Sequence, residues 1–368
     1  MGHQLESLLG SWEGHAIISR HDRETGAWIF ICLHDPTLGP CSGGTRMKIY
    51  PTPGDGLLDA QRLAEGMTQK WAIAGMPYGG GKAVIALPGE LGPEARQGLL
   101  HRYGELVESL GGIFQTGEDL GTSTADLLEV AARTRFVHGF DADGQKLDPA
   151  PFTARGVYAG LCAALEHVHG DPAPRGRSVL VQGVGNVGRR LAVELAAAGA
   201  KVMVSDLDAE HAAKVAEELG GNAMAMPMAI PADEALTTPC DVYAPCAVGG
   251  TVNHETVPRL VCRIIAGSAN NQLAERSDAG GLRRRGIVYA PDFIINGGGA
   301  IAFALLRLES VEPAALLERV ECVGETIGEV LAEAAAAGES SLVTAEKRVA
   351  RTLAKGVDRP AELTAPRR

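Results

Sequence analysis

Apolar residues recur at steps of three and four through residues 58–75, where Leu63, Met67, Lys70 and Ala74 fall in line, and this period predicts a helix. Lys70 shares that apolar line, where a lysine is costly unless it has a partner. The apolar run AVIAL after Lys82 predicts a short buried strand, and Gly79-Gly80-Gly81 falls between helix and strand. Such a run lets backbone approach something closely and leaves room beside Lys82. Residues 27–34, AWIFICLH, and a segment around TRMKIYP predict two further strands, the second after the pair Gly43-Gly44. Residues 92–112 predict an amphipathic helix ending at glycine. The stretch IFQTGEDLGTSTADL predicts a short strand, the acids Glu118 and Asp119, and a helix beginning near Ser123.

The polar, turn-rich stretch DADGQKLDPAP, residues 141–151, marks a domain boundary, and a helix from Thr153 to about His169 follows it. Through residues 178–206 the pattern passes from a short buried strand to a helix and back, which is a βαβ unit. Further apolar runs at 240–250, 262–273 and 286–300 end in small or amide residues: Ala244-Pro245-Cys246, Asn270-Asn271 and Asn296. Helices rich in Ala, Leu and Glu run from about residue 300 to 353. The expected fold is α/β with two domains: residues 1–145 form an N-terminal α/β substrate domain and residues 146–300 a Rossmann dinucleotide-binding domain. Residues 301–368 supply helices placed to pack back on the first domain, with a loose tail, and a cleft hinged near 140–152 and 296–300.

At 368 residues, with 45% hydrophobic content and 47 glycines, the composition is that of a soluble α/β enzyme. A net charge of −11 argues against nucleic acid, whose binding needs a basic face. The seven cysteines, an odd number without CxxC spacing, suit a reducing cytoplasm and carry no zinc signature. The first residues lack a signal-like apolar core, and no run reaches the length of a spanning helix. The expectation is a cytoplasmic protein with no metal site and no membrane segment.

Two lysines flanking a glycine run inside apolar sequence are the candidate chemistry of the first domain. Two ammonium groups in one cleft lower each other's pKa, and burial lowers it further, which makes a lysine usable as a base near neutral pH. One of them instead stays charged to hold a substrate carboxylate; the bland alternative is solvated lysines beside a flexible loop. Gly43-Gly44 either exposes backbone N–H groups to an anion or makes a tight turn. Asp119, framed by Gly117 and Gly121, is either a site carboxylate at a strand end or a capping group.

In the second domain Gly183, Gly185 and Gly188 stand in GxGxxG spacing at the first strand-to-helix turn, with Asn186 and Val187 between them. Asp206 closes the next strand, twenty-three residues after Gly183. A glycine fingerprint that follows a strand, opens a helix and precedes a strand-end acid binds a dinucleotide. Its pyrophosphate approaches the helix N-terminus, and Asp206 accepts from the adenine-ribose hydroxyls while repelling a 2′-phosphate, which favours NAD over NADP. Side-chain amides at the carboxyl ends of parallel strands orient a nicotinamide or a substrate, or else cap turns.

Together, LGPCSGGTRM, MTQKWAIAGMPYGGGKAV, TGEDLGT, APFTARGV, QGVGNVG, YAPCA, AGSANNQL and PDFIINGGG resemble the glutamate/leucine/phenylalanine/valine dehydrogenase family, in family order and over roughly residues 20–310. The likeness is to the branch acting on apolar amino acids. It implies a homo-oligomeric enzyme whose first domain also serves oligomerisation, catalysing reversible oxidative deamination of an L-amino acid to a 2-oxo acid and ammonia with NAD. By resemblance Lys70 binds the substrate carboxylate with help from Gly43 and Gly44, Lys82 is the base that activates water, and Asp119 moves protons to and from the amine. Thr153 hydrogen-bonds the nicotinamide carboxamide. Ala244, Cys246 and Ala247 line the cofactor, and Asn270, Asn271 and Asn296 lie near nicotinamide and substrate. Ser42 stands where leucine-type enzymes carry a large apolar residue, and Gly117 and Ala300 occupy positions that are larger in those enzymes. The wider pocket leans towards a bulky or aromatic side chain, with Phe303 one turn further able to refill it. Such differences discriminate by only about 1–3 kcal/mol. No acidic or basic residue stands ready for a substrate side-chain carboxylate, which argues against glutamate. A biosynthetic enzyme oxidising an amino acid such as tryptophan, and a non-catalytic NAD-binding regulator, are the alternatives; retention of both lysines and Asp119 speaks against the regulator.

Overall fold

The computed structural model describes residues 5–10, 12–140, 147–220, 228–232, 234–309 and 313–356. The chain divides into two units, Met1–Leu147 together with the stretch from Val349 on, and Asp148–Arg348. Most of the expected boundary stretch, residues 141–146, lies outside the described residues.

The first unit begins with a short helix α1 (Leu5–Gly10) and strands β1 (Ala16–His21), β2 (Trp28–Asp35), β3 (Cys41–Ser42) and β4 (Thr45–Ile49). Helix α2 (Pro53–Ile73), strand β5 (Gly79–Leu87), helix α3 (Pro93–Ser109), strand β6 (Phe114–Gln115) and helix α4 (Thr124–Ala131) complete it. The sheet runs β1-β2-β5-β3-β6, with β4 also paired to β5. β1, β2 and β5 are antiparallel neighbours, whereas β3, β4 and β6 join in parallel. β5 is buried at every position. Its pleat sends Ala83, Ile85 and Leu87 into a core with Leu99, Leu100 and Tyr103 of α3 and Leu127 and Val130 of α4. Val84 and Ala86 face the opposite way, towards Leu57, Ala60 and Ala64 of α2. Lys82, two residues before Val84, therefore shares the face that α2 covers.

Helix α2 starts five residues before the apolar period does. Pro53 occupies its first turn, the Thr52 hydroxyl accepts from the Asp55 N–H at 3.3 Å, and the Asp55 carboxylate accepts from the Thr52 N–H at 2.9 Å. This reciprocal cap lies in a Pro- and Gly-rich stretch that hides it from a periodicity reading. The glycine run is not a connection but the first three residues of β5. A Cβ on Gly80 would fall 1.9 Å from Thr68 Oγ1 and 2.6 Å from the Ala64 carbonyl oxygen. The glycines are there so that α2 can lie directly on the strand. Strand β1, which the pattern does not predict, pairs along its whole length with β2.

The second unit begins with α5 (Ala150–His169) and continues through β7 (Ser178–Gln182), α6 (Asn186–Ala197), β8 (Lys201–Ser205), α7 (Ala209–Gly220) and β9 (Met228–Ala229). Strands β10 (Val242–Pro245) and β11 (Ile264–Ile265), helix α8 (Asp278–Arg284), β12 (Val288–Tyr289) and the short helix α9 (Asp292–Ile295) follow. Helices α10 (Gly298–Glu309), α11 (Pro313–Arg319), α12 (Cys322–Ala337) and α13 (Ser341–Lys355) end the described chain. Its sheet is parallel throughout, in the order β12-β11-β10-β7-β8-β9. The chain winds outward in both directions from the β7/β10 pair, the arrangement of a doubly wound dinucleotide fold with its crevice at that pair. Asn296 does not end a strand: β12 stops at Tyr289, and Asn296 caps α9. Of the helices expected to pack on the first domain, residues 301–348 group with the second unit, where α12 lies on α5 with Gly324 against the Ala159 carbonyl. No helix among the described residues is long and apolar enough to cross a membrane.

Candidate active site

In the first unit the reactive side chains meet on the α2 side of the sheet. Lys82 is 5% exposed on the central strand, and its Nζ lies 3.0 Å from Asp119 Oδ1. Asp119 sits in the turn between β6 and α4, and local bonds hold that turn. Its N–H donates to Thr122 Oγ1 at 3.0 Å, and the Thr122 hydroxyl donates to the Thr45 carbonyl at 2.9 Å. Gly121 closes the turn at φ +82°, where a Cβ would strike the Met47 carbonyl oxygen at 1.8 Å. The other carboxylate oxygen, Oδ2, accepts from Arg46 Nε at 2.8 Å. Burial by itself would raise the Asp119 pKa, but the Lys82 and Arg46 charges and their hydrogen bonds outweigh it and hold the carboxyl well below its ordinary range.

Arg46 is held in turn. Its Nη1 donates to Asp59 Oδ2 at 3.1 Å, and the Tyr50 hydroxyl donates to the same oxygen at 2.5 Å. Sequence reasoning missed Arg46, Asp59 and Tyr50. Arg46 pairs with Val84 in register, so strand alternation puts it on the Lys82 face, which only the strand pairing reveals. Asp59 precedes Lys70 by eleven residues, about three turns of helix, and so shares its face.

Lys70 is half-buried on α2, beside Trp71, whose indole N–H donates to the Ser42 carbonyl at 3.0 Å. Gly43 and Gly44 pass between β5 and the Asp119 turn: a Cβ on Gly43 would meet the Gly81 oxygen at 1.9 Å, and one on Gly44 the Glu118 oxygen at 2.4 Å. The Gly43 N–H already donates to the Gln115 carbonyl at 3.1 Å. The pair is thus required by backbone packing, whatever else it binds. Ser42 is buried, and its hydroxyl lies 3.1 Å from His138 Nε2, while Gly117 has His138 as its nearest neighbour at 3.8 Å. The space a serine leaves is therefore edged by an imidazole that sequence reasoning did not single out.

In the second unit the three fingerprint glycines are distinct in role. Gly183 turns at φ +90°, with a Cβ position 2.5 Å from Ala247 Cβ. Gly188 lies where a Cβ would be 1.9 Å from the Gly183 oxygen and 3.2 Å from Cys246 Cβ, so α6 can pack on the strand ends only through glycine. Gly185, the residue preceding Asn186 and Val187 in α6, faces open space, with nothing within 4 Å of a built Cβ. The N-terminus of α6 at this opening could hold a diphosphate. The Asp206 carboxylate accepts from the Val184 N–H at 2.9 Å and the Asp208 N–H at 3.2 Å, which fixes it at the end of β8 where a ribose would lie.

Ala244, Cys246 and Ala247 follow at the carboxyl end of β10, with the Cys246 thiol pushed up by burial. Beyond β11, the Asn296 amide donates to Asn270 Oδ1 at 2.8 Å, so the buried asparagine orients the exposed one. Asn271 has φ 51°, the left-handed backbone that lets its neighbours turn around Gly249 and Gly250. Thr153 packs on the glycine run after Asn296, its Oγ1 2.7 Å from a Cβ position on Gly299, and donates to the Pro149 carbonyl at 3.0 Å. Ala300 lies in the first turn of α10, in this unit, whereas Ser42 and Gly117 lie in the first.

Family models match both units. Residues 20–135 match the Glu/Leu/Phe/Val dehydrogenase dimerisation domain, and residues 144–318 match Glutamate/Leucine/Phenylalanine/Valine dehydrogenase. A leucine dehydrogenase of Bacillus cereus is 38% identical over 94% of this chain and 92% of its own length. The chain belongs to the glutamate/leucine/phenylalanine/valine dehydrogenase family. A valine dehydrogenase of Streptomyces albus is 41% identical over 82% of each chain. The crystal structure of L-tryptophan dehydrogenase from Nostoc punctiforme superposes with a TM-score of 0.79 at 32% identity, covering 95% of this chain and 99% of that one. This enzyme is accordingly an amino-acid dehydrogenase, an oxidoreductase that works with a nicotinamide cofactor. Lys70, Lys82 and Asp119 fall in the first matched region, and the glycine fingerprint, Asp206 and the asparagines in the second.

Proposed function

We propose that this dehydrogenase carries out NAD-dependent, reversible oxidative deamination of a hydrophobic L-amino acid to the 2-oxo acid and ammonia. One observation carries the reading: a buried lysine Nζ 3.0 Å from a half-buried carboxylate, on the sheet face covered by the helix that bears a second lysine. Lys70 holds the substrate carboxylate. A nicotinamide cofactor, when bound, would supply the acceptor for the hydride that leaves Cα. Lys82, in its neutral form, removes a proton from the water that adds to the resulting imine, and Asp119, hydrogen-bonded to it, takes and returns the protons on nitrogen as ammonia leaves. Asn270, set by Asn296, orients the substrate, and Thr153 the carboxamide.

NAD rather than NADP is supported by Asp206, whose two oxygens are already turned to the strand end. Replacing it with serine is expected to lower kcat/KM with NAD by about tenfold or more and to raise that with NADP, checked by initial rates with each cofactor. Gly117 and Ala300 support a bulky substrate. Likeness to the tryptophan dehydrogenase structure favours tryptophan as a second reading. Homo-oligomers are supported by the dimerisation-domain match and by Ile49, Ile113, Leu120 and Leu128, each more than half exposed on the first unit. A reducing, cytoplasmic setting is supported by seven free cysteines.

A panel of L-amino acids with NAD and with NADP, read by absorbance of the reduced cofactor, tests the whole reading. The expected result is turnover of leucine, valine, phenylalanine or tryptophan with NAD. Absence of turnover with every amino acid would remove it.

A further inference from the structure

We propose that Arg46 is a positioning residue for the reaction: anchored by Asp59, which Tyr50 holds, it fixes the Asp119 carboxylate so that Oδ1 stays on Lys82. The proposal rests on the assignment of Asp119 to proton transfer. The side chains form one chain of contacts, Lys82 to Asp119 at 3.0 Å, Asp119 to Arg46 at 2.8 Å, Arg46 to Asp59 at 3.1 Å and Asp59 to Tyr50 at 2.5 Å. Each carboxylate oxygen of Asp119 meets a different cation, so the group cannot rotate without breaking one of them. Arg46 cannot move either, because its fork is shared between two carboxylates. Its Nε and Nη1 are committed, and its side chain is 15% exposed, which suits a clamp and not a substrate-binding cation.

The cluster is electrically balanced, two cations against two carboxylates. Facing Asp119 are Lys82 from β5 and Arg46 from β4; behind Arg46 stand Asp59 of α2 and Tyr50 of the connection before it, with Lys70 further along α2 and Glu118 adjacent in the chain. Taking away the guanidinium leaves two half-buried carboxylates beside one ammonium. Asp119 then holds a proton to higher pH. The reaction needs an unprotonated base beside an ionised carboxylate, and the guanidinium's positive charge favours proton loss from both, so removing Arg46 must move the acid limb upward.

The experiment measures kcat and KM across pH for the full-length enzyme and for Arg46→Gln, Arg46→Lys, Asp59→Asn and Asp119→Asn, with NADH binding and thermal melting on each. Arg46→Gln is expected to lower kcat by about 10- to 100-fold with a smaller change in amino-acid KM, and to shift the acid limb of kcat/KM up by about 1–3 pH units. Arg46→Lys restores a charge without the fork, and its limb moves up by less. Asp59→Asn leaves Arg46 wholly to Asp119, so its limb does not rise. An acid limb that stays in place in both arginine variants overturns the proposal. If Arg46→Gln does not fold, Arg46→Lys decides the matter alone. An Asp119→Asn enzyme with near-parental turnover would instead place the fault in the proton-transfer assignment.

Discussion

Replacing Lys82 with alanine is expected to lower turnover by about 1,000- to 10,000-fold while leaving NADH binding within about twofold of the parent enzyme. Lys82 stands in the most buried strand of the first unit, and little of its side chain reaches solvent. Its removal leaves two carboxylates, Asp119 and Asp59, sharing the Arg46 guanidinium, so some loss of stability accompanies the loss of turnover. The strand accepts alanine, and the glycine fingerprint proposed for the dinucleotide belongs to the second unit. What disappears is the group that takes the proton from water. Fluorescence titration with NADH and single-turnover formation of reduced cofactor separate binding from chemistry. If Lys82 served only to neutralise Asp119, the alanine enzyme would melt earlier yet turn over at nearly the parental rate, and the base assignment would fall.

The largest stability effect is expected at Gly80. Alanine there places a methyl group 1.9 Å from Thr68 Oγ1, 2.4 Å from the Thr68 nitrogen and 2.6 Å from the Ala64 oxygen. Two of those three atoms are helix backbone, which cannot rotate away as a side chain can, so α2 must lift from the sheet. Overpacking of this kind costs about 3 kcal/mol or more. The same shift carries Lys70 away from the face that Lys82 occupies, and the KM for the amino acid rises together with the loss of stability. Gly89→Ala is the matched control, since nothing lies within 4 Å of its Cβ position; denaturant unfolding should place it within about 0.5 kcal/mol of the parent. Equal stability of the two variants would show that the glycine run is not what seats the helix.

Local pattern was sufficient wherever one stretch carried its own physics. The βαβ unit was legible because buried strand, glycine turn, helix and buried strand succeed one another within thirty residues, and Gly183 and Gly188 each have a steric reason to be glycine. The start of α4 was legible from Ser123, which caps the helix through Asp126. The reading failed where neighbours distant in sequence set the outcome. Gly79–Gly81 carries no side chains to show a strand, and its pairing with β2 and β3 decides that it is one. Asn296 follows an apolar run like those of the strands, yet the last part of that run coils into α9.

For this enzyme the family, the glycine fingerprint and the identities of Lys70, Lys82 and Asp119 were already present in the order of residues, because each depends on spacings of a few positions along the chain. The partnership of Arg46 with Asp119 and Asp59, and of Ser42 with His138, arises only on folding. Those contacts join residues 73, 13 and 96 positions apart. No local period encodes them; strand register and the seating of α2 on β5 bring them together, and with them the charge that Asp119 carries.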